Sequence, residues 1–101
     1  MKMQSAIRIS PDHPSFAGHF PQFPVLPGAI LLDEMLKAIE SARGIEITSW
    51  QIASAKFLGA VRPSDILVLE HDAPAPGLIR FTICVLNRKV ASGVLSKALE
   101  T

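Results

Sequence analysis

Apolar and polar positions alternate at the start of the chain. Met3, Ile7 and Ile9 fall on one side, with Gln4, Arg8 and Ser10 toward the other. That period of two predicts a strand over Met3–Ile9, ended by Pro11. From Pro11 to Leu26 prolines recur too often for a long helix, which predicts an ordered loop. Pro27 to Arg43 is free of internal breakers and rich in strong helix formers, and Gly44 is a natural residue to follow a helix end. Pro27 suits a first turn, because its φ is fixed and its missing N–H needs no partner there. Beyond Gly44 the pattern returns to strands, predicted over Thr48–Leu58, Ile66–His71, Leu78–Leu86 and Lys89–Leu99. Turn signals separate them at Arg62-Pro63-Ser64-Asp65, Pro74-Ala75-Pro76-Gly77 and Asn87-Arg88. Short connections favour antiparallel neighbours. One helix and about five strands predict an α+β domain over residues 1–101, with the sheet packed on the helix. A layer pair this small leaves apolar surface for a partner subunit.

Composition narrows the function classes. Hydrophobic residues are 49% and charged residues 19% of the chain, enough to bury a core and against global disorder. Ten Lys and Arg oppose nine Asp and Glu, with no basic run, so a nucleic-acid-binding patch has little support. The single cysteine, Cys84, has no internal partner and fits a reducing compartment; between Ile83 and Val85 it reads as an ordinary buried thiol. MKMQSAIRIS lacks the apolar core of a secretory signal, and no apolar stretch approaches a membrane span. These features predict a cytoplasmic protein with no membrane partner. The scattered histidines give no metal spacing, and no glycine-rich phosphate loop is present. His13 and His71 read as surface residues.

The unusual segment runs from Phe16 to Asp33. Pro21, Pro24 and Pro27 recur at the three-residue period of polyproline II, a stiff approach to the helix. His19 stands beside Gly18 and among Phe16, Phe20 and Phe23. An imidazole in an apolar setting stays neutral at pH 7, which suits a general base. Gly28 falls in the first helical turn, where free N–H groups and the helix dipole favour a developing oxyanion. Asp33 lies further along the same helix. A base, an oxyanion donor and a carboxylate are the parts needed to abstract a proton next to a thioester carbonyl.

Gly18-His19-Phe20-Pro21, then Pro24, Pro27-Gly28 and Asp33, closely resembles the 3-hydroxyacyl-ACP dehydratases of type II fatty acid synthesis. Lys56-Phe57 and Val61-Arg62-Pro63-Ser64-Asp65 extend the resemblance, with Ser64 where the family has glycine. The resemblance implies a hot-dog fold, a long helix wrapped by an antiparallel sheet and paired as a dimer. It implies that His19 removes the C2 proton and that Asp33 helps protonate the departing 3-hydroxyl. It implies that the Gly28 N–H holds the thioester carbonyl and that the Val25 carbonyl orients the histidine. Phe20 would line the acyl site. His and carboxylate would come from different subunits, and no cofactor or metal would be needed. The substrate would arrive on acyl carrier protein or CoA. An acidic carrier calls for a basic docking surface, with Lys56, Arg62 and Arg80 as candidates.

Three features depart from the family pattern. Lys37 replaces its glutamine one turn after the carboxylate, where a cation would favour the ionised acid. The family's N-terminal helix has no counterpart here. Glu34 stands where the family has a small residue. Periodicity alone puts Asp33 with Glu34, Lys37, Glu40 and Ser41 on a solvated stripe opposite Leu31, Met35, Ala38, Ile39 and Ala42. Two other functions share the fold: a non-catalytic acyl-thioester or carrier-binding module, and a thioesterase.

Overall fold

The computed structural model describes residues 2–9, 26–63 and 65–97. Strand β1 covers Met3–Arg8, helix α1 Gly28–Arg43, β2 Trp50–Phe57, β3 Ile66–Ala75, β4 Leu78–Val85 and β5 Arg88–Lys97. A short 3-10 turn, Ile47–Ser49, leads into β2. All strand pairs are antiparallel and the sheet order is β1-β3-β4-β5-β2. The chain therefore uses α1 to cross from one sheet edge, β1, to the other, β2.

The helix forms where breakers are absent, and its ends explain its length. Pro27 is the cap rather than the first helical residue, at φ −58 and ψ 143. Its carbonyl accepts the first bonds, from Ile30 and Leu31 N–H at 3.1 Å each. Gly44 closes the helix at φ 62, its N–H donating to Glu40 O. Only residues without a Cβ adopt that conformation cheaply. Leu31, Met35 and Ile39 are the buried positions, spaced by four along one face. They seat on the inward positions of the sheet, Leu67 and Leu69 of β3 and Ile79, Phe81 and Ile83 of β4, in one core cluster.

Burial alternates along β3 and β4, as a sheet with one covered face requires. Strand β2 does not follow: from Gln51 to Phe57 every residue is exposed. It is the edge strand far from β1. The structure departs from sequence expectation elsewhere too. β2 starts two residues later than Thr48, because Ile47–Ser49 coils, and β3 runs on to Ala75 before turning at Pro76-Gly77. β5 begins at Arg88, so the hairpin turn is Leu86-Asn87. Cys84 is half-buried and points opposite to its buried neighbours Ile83 and Val85. His71, expected at the surface, is 2% exposed. The alternation of β3 turns it inward behind Leu67 and Leu69, because the strand continues past it.

The helix start is pinned from one end of the sheet. Leu26 N–H donates to Val61 O at 2.8 Å. Leu58 and Gly59 N–H donate to Val90 O, and the Arg88 guanidinium donates to Ala60 O from both terminal nitrogens. The segment between β2 and β3 is thus tied to β5 on one side and to the start of α1 on the other.

Candidate active site at the start of the helix

Gly28 opens α1. Because the ladder begins with Ile30 and Leu31, the Gly28 and Ala29 amides stand ahead of it at the positive end of the dipole. The sequence pattern favoured glycine here for close ligand approach; the structure adds a packing reason. A Cβ on Gly28 would lie 2.8 Å from Cζ of Phe57 and 2.9 Å from its Cε1. Phe57, at the end of β2, rests its ring tip on the helix start and remains half exposed. An aromatic wall therefore stands beside the leading amides.

Asp33 is on the same helix, five residues on, roughly 7.5 Å along the axis at 1.5 Å per residue. Its side chain is exposed and turned away from the buried Leu31–Met35–Ile39 face. Lys37 Nζ stands 3.1 Å from Asp33 Oδ2 and 3.9 Å from Glu34 Oε1. The Asp33 hydrogen bond, then the charges of Asp33 and Glu34, hold the Lys37 ammonium above the ordinary lysine range. Within one chain, Asp33 is thus a solvated helix carboxylate paired with a lysine.

The remaining motif residues, His19, Phe20 and Val25, lie outside the described residues, as does His13. The structure brings Gly28 and Phe57 together and leaves Asp33 facing out from the chain. Among the described residues no cluster of His, Cys, Asp or Glu could hold a metal, and no helix is long and apolar enough to cross a membrane.

Sequence reasoning missed a second imidazole site. Arg43, in the last turn of α1, donates from Nε to His71 Nδ1 at 2.8 Å and from a terminal nitrogen to His71 O at 3.3 Å. Nδ1 is the acceptor, so the neutral ring carries its proton on Nε2, a buried atom without a partner among the described residues. Burial, then the Arg43 charge, push the imidazole below its ordinary range, while Asp72 acts the other way. The strand pattern through His71 was the available signal: Leu67, Leu69 and His71 share parity.

The three expected carrier-docking cations do not form one patch. Arg80 is held by Asp72, with contacts of 2.6 and 3.1 Å, and Lys56 stands opposite Ser92 on the outward side of the sheet. Arg62 is at the other end of β3, in the turn that precedes it.

Comparison with known proteins follows this geometry. A 3-hydroxyacyl-[acyl-carrier-protein] dehydratase FabZ of Chlamydia caviae is 33% identical over 101 residues, 87% of this chain and 66% of the relative. That of Vibrio atlanticus is 37% identical over 79 residues, 68% of this chain and 53% of the relative. The chain thus spans somewhat under two thirds of these relatives' length. In fold it resembles the dehydratase heterocomplex ApeI:P from Xenorhabdus doucetiae, with TM-score 0.75 at 20% identity, covering 97% of this chain and 88% of that one. It also resembles the dehydratase domain of PpsC from Mycobacterium tuberculosis, with TM-score 0.80 at 17% identity, covering 99% and 40% of the two chains. The fluoroacetyl-CoA thioesterase FlK shares the fold at TM-score 0.67 and 14% identity, covering 97% and 85%. One helix on a five-stranded antiparallel sheet is therefore the hot-dog fold common to dehydratases and thioesterases. The family described as ApeI-like, ApeI dehydratase, matches residues 1–94, and this chain belongs to it.

Proposed function

We propose that residues 1–101 form one hot-dog unit that removes water from a 3-hydroxyacyl thioester to give the trans-2-enoyl thioester. The observation that carries this reading is the helix start. Leading amides at Gly28 and Ala29, beside an aromatic wall, open the same helix that carries Asp33, in a chain of a dehydratase family. His19 takes the C2 proton as a neutral base, oriented by the Val25 carbonyl. The thioester carbonyl gains negative charge and the Gly28 N–H stabilises it. The C3–O bond then breaks, and the hydroxyl leaves as water with a proton from Asp33. Phe20 borders the acyl chain. No cofactor or metal takes part.

Because Asp33 faces away from its own core, a homodimer is the catalytic unit in this reading, with His19 of one subunit serving Asp33 of the other. The exposed edge strand β2 supports pairing, since an edge unpaired among the described residues, with apolar Ile52 and Phe57 exposed, is a place where chains associate. Acyl carrier protein delivers the substrate, with CoA as the small-molecule counterpart, in the cytoplasm. The solvent-exposed Asp33–Lys37 pair favours a second reading, an acyl-thioester-binding module without turnover.

The test is to follow enoyl absorbance with purified protein and a 3-hydroxyacyl thioester. His19→Ala is expected to lower the rate by about 10² to 10⁴. Equal rates for both proteins would remove the dehydratase assignment. Binding without turnover would select the module, and release of free thiol from a saturated acyl-CoA would select the thioesterase.

A further inference from the structure

The sheet reaches the helix start through the consecutive residues Phe57 to Val61. Phe57 closes the β2–β5 ladder opposite Ala91 and rests its ring on Gly28. Leu58 and Gly59 N–H both donate to Val90 O, at 2.9 and 3.3 Å. Ala60 O accepts from both terminal nitrogens of Arg88, at 3.2 Å each. Val61 O accepts the Leu26 N–H at 2.8 Å, just ahead of Pro27 and Gly28. Phe57 and Val61 therefore hold the approach to α1, while the three residues between them hold to the start of β5.

Strand β5 is shaped for this. Ile83 pairs with Ala91 but Cys84 pairs with Lys89, which leaves Val90 as an extra residue. Val90 and Ala91 are neighbours and both buried, the mark of a bulge, and Val90 supplies the carbonyl that takes two amides. Gly59 lets the Arg88 guanidinium lie against the backbone, since a Cβ there would stand 2.6 Å from one of its terminal nitrogens. Gly59 is not in the left-handed region, so close approach is what the glycine provides. Among the described residues, Arg88 on Ala60 O is the side-chain bond in this set, and the others are backbone to backbone. Arg88 is exposed, so burial does not account for its placement. A charge-assisted donor on the Ala60 carbonyl fixes the peptide plane between Ala60 and Val61. The Val61 carbonyl, one residue on, is then left fewer directions in which to point.

We propose that Arg88 is a positioning residue for the dehydration. Its guanidinium clamps Ala60 O, and through the Val61 O to Leu26 N–H bond it keeps the Gly28 and Ala29 amides aimed at the thioester oxygen. The proposal rests on the dehydratase reading for the oxygen that those amides meet. Arg88 itself does not touch the substrate. Amides slightly out of line still accept a ground-state carbonyl but serve the developing oxyanion poorly, so loss of the clamp falls on kcat rather than on KM.

The experiment compares the full chain with Arg88→Ala, Gly59→Ala, the double variant and Lys89→Ala, a neighbouring exposed cation outside the clamp. All these positions are exposed, so each Tm should stay within about 3 °C of the parent. Hydrogen exchange at the Leu26 amide, read by NMR, is expected to be about tenfold faster in Arg88→Ala and parental in Lys89→Ala. With a 3-hydroxyacyl N-acetylcysteamine thioester, Arg88→Ala should lower kcat about tenfold and leave KM within about twofold. A methyl on Gly59 pushes the guanidinium off the same carbonyl. Gly59→Ala should therefore reproduce the loss, and the double variant should be no worse than Arg88→Ala. Parental Leu26 exchange in Arg88→Ala would overturn the proposal. So would a kcat within about twofold of the parent, or losses that add in the double variant, which would mark general loosening of the segment. A parent that does not turn over the thioester would instead remove the dehydratase reading, and the clamp would then stand or fall on Leu26 exchange alone.

Discussion

At the scale of the residue, two charged contacts make opposite statements about stability and activity. Asp33 and Lys37 are both well exposed, and solvent screening leaves such a pair little weight in stability. In the proposed reaction, however, the ammonium at 3.1 Å competes with the substrate hydroxyl for Asp33 Oδ2. Lys37→Gln is therefore expected to raise kcat for dehydration severalfold while leaving Tm within about 2 °C, checked by steady-state kinetics beside thermal melts. His71 behaves differently because it is buried. Arg43 of α1 and Asp72 of β3 are the charged groups beside it, and Phe81 of β4 and Met3 of β1 are its cross-strand neighbours. Its folded form resists protonation more than the unfolded chain does, so the unfolded state takes up more protons as pH falls from about 6.5. This contribution to stability is full above that pH and is lost below it. Denaturation midpoints between pH 7.5 and 5 should fall for the parent more steeply than for His71→Leu. Parallel slopes would show that His71 does not titrate with unfolding.

At the scale of the element, glycines in α1 and β5 report how tightly two neighbours are held. A methyl on Gly28 meets the tip of Phe57, a half-exposed ring at the end of an edge strand. That ring can swing aside, so Gly28→Ala should cost under about 1 kcal/mol of stability and lower turnover instead. A methyl on Gly93 meets the Ser54 carbonyl and lies 2.7 Å from Cζ of buried Phe81, where nothing yields without moving strand β2 or the core. Gly93→Ala is expected to cost about 1–3 kcal/mol, read from urea midpoints. A smaller cost for Gly93→Ala than for Gly28→Ala would mean that the sheet edge is the looser of the two. Helix and strands were legible because their signals are local: alternation, the proline–glycine bracket of α1, and turn residues. The ends were less legible. The pattern ran β2 back to Thr48, but the backbone coils through Ile47–Ser49 before pairing starts. It stopped β3 at His71, although cross-strand bonds to β4 carry the strand to Ala75.

At the scale of the whole molecule, α1 bridges opposite sheet edges, and its buried stripe faces β3 and β4 rather than β2. Strand β2 is left with exposed side chains and, among the described residues, an unpaired outer edge. If His19 and Asp33 meet across a twofold, inactive variants should complement each other. A mixture of His19→Ala and Asp33→Asn chains, unfolded and refolded together, would place half the dimers as mixed pairs, each with one intact site of two. About a quarter of parental activity is then expected. Activity no higher than the sum of the separate variants would place both groups in one subunit. Sedimentation should give a mass twice the 10.9 kDa chain.

The sequence by itself determined the helix, the strand count, the antiparallel pairing and the glycine at the helix start, because each follows from residues near one another along the chain. It also placed Asp33 on a solvated stripe, where the structure leaves it. Only the folded sheet decided that His71 is buried against Arg43 and that Phe57 backs Gly28. It also decided that Arg62 and Arg88 share one end of the sheet while Lys56 and Arg80 lie elsewhere, beside one common pocket. Those facts depend on which strand lies beside which and on the register between them. Contacts between residues distant in sequence are set by the packing of whole layers, and a local pattern carries no record of them.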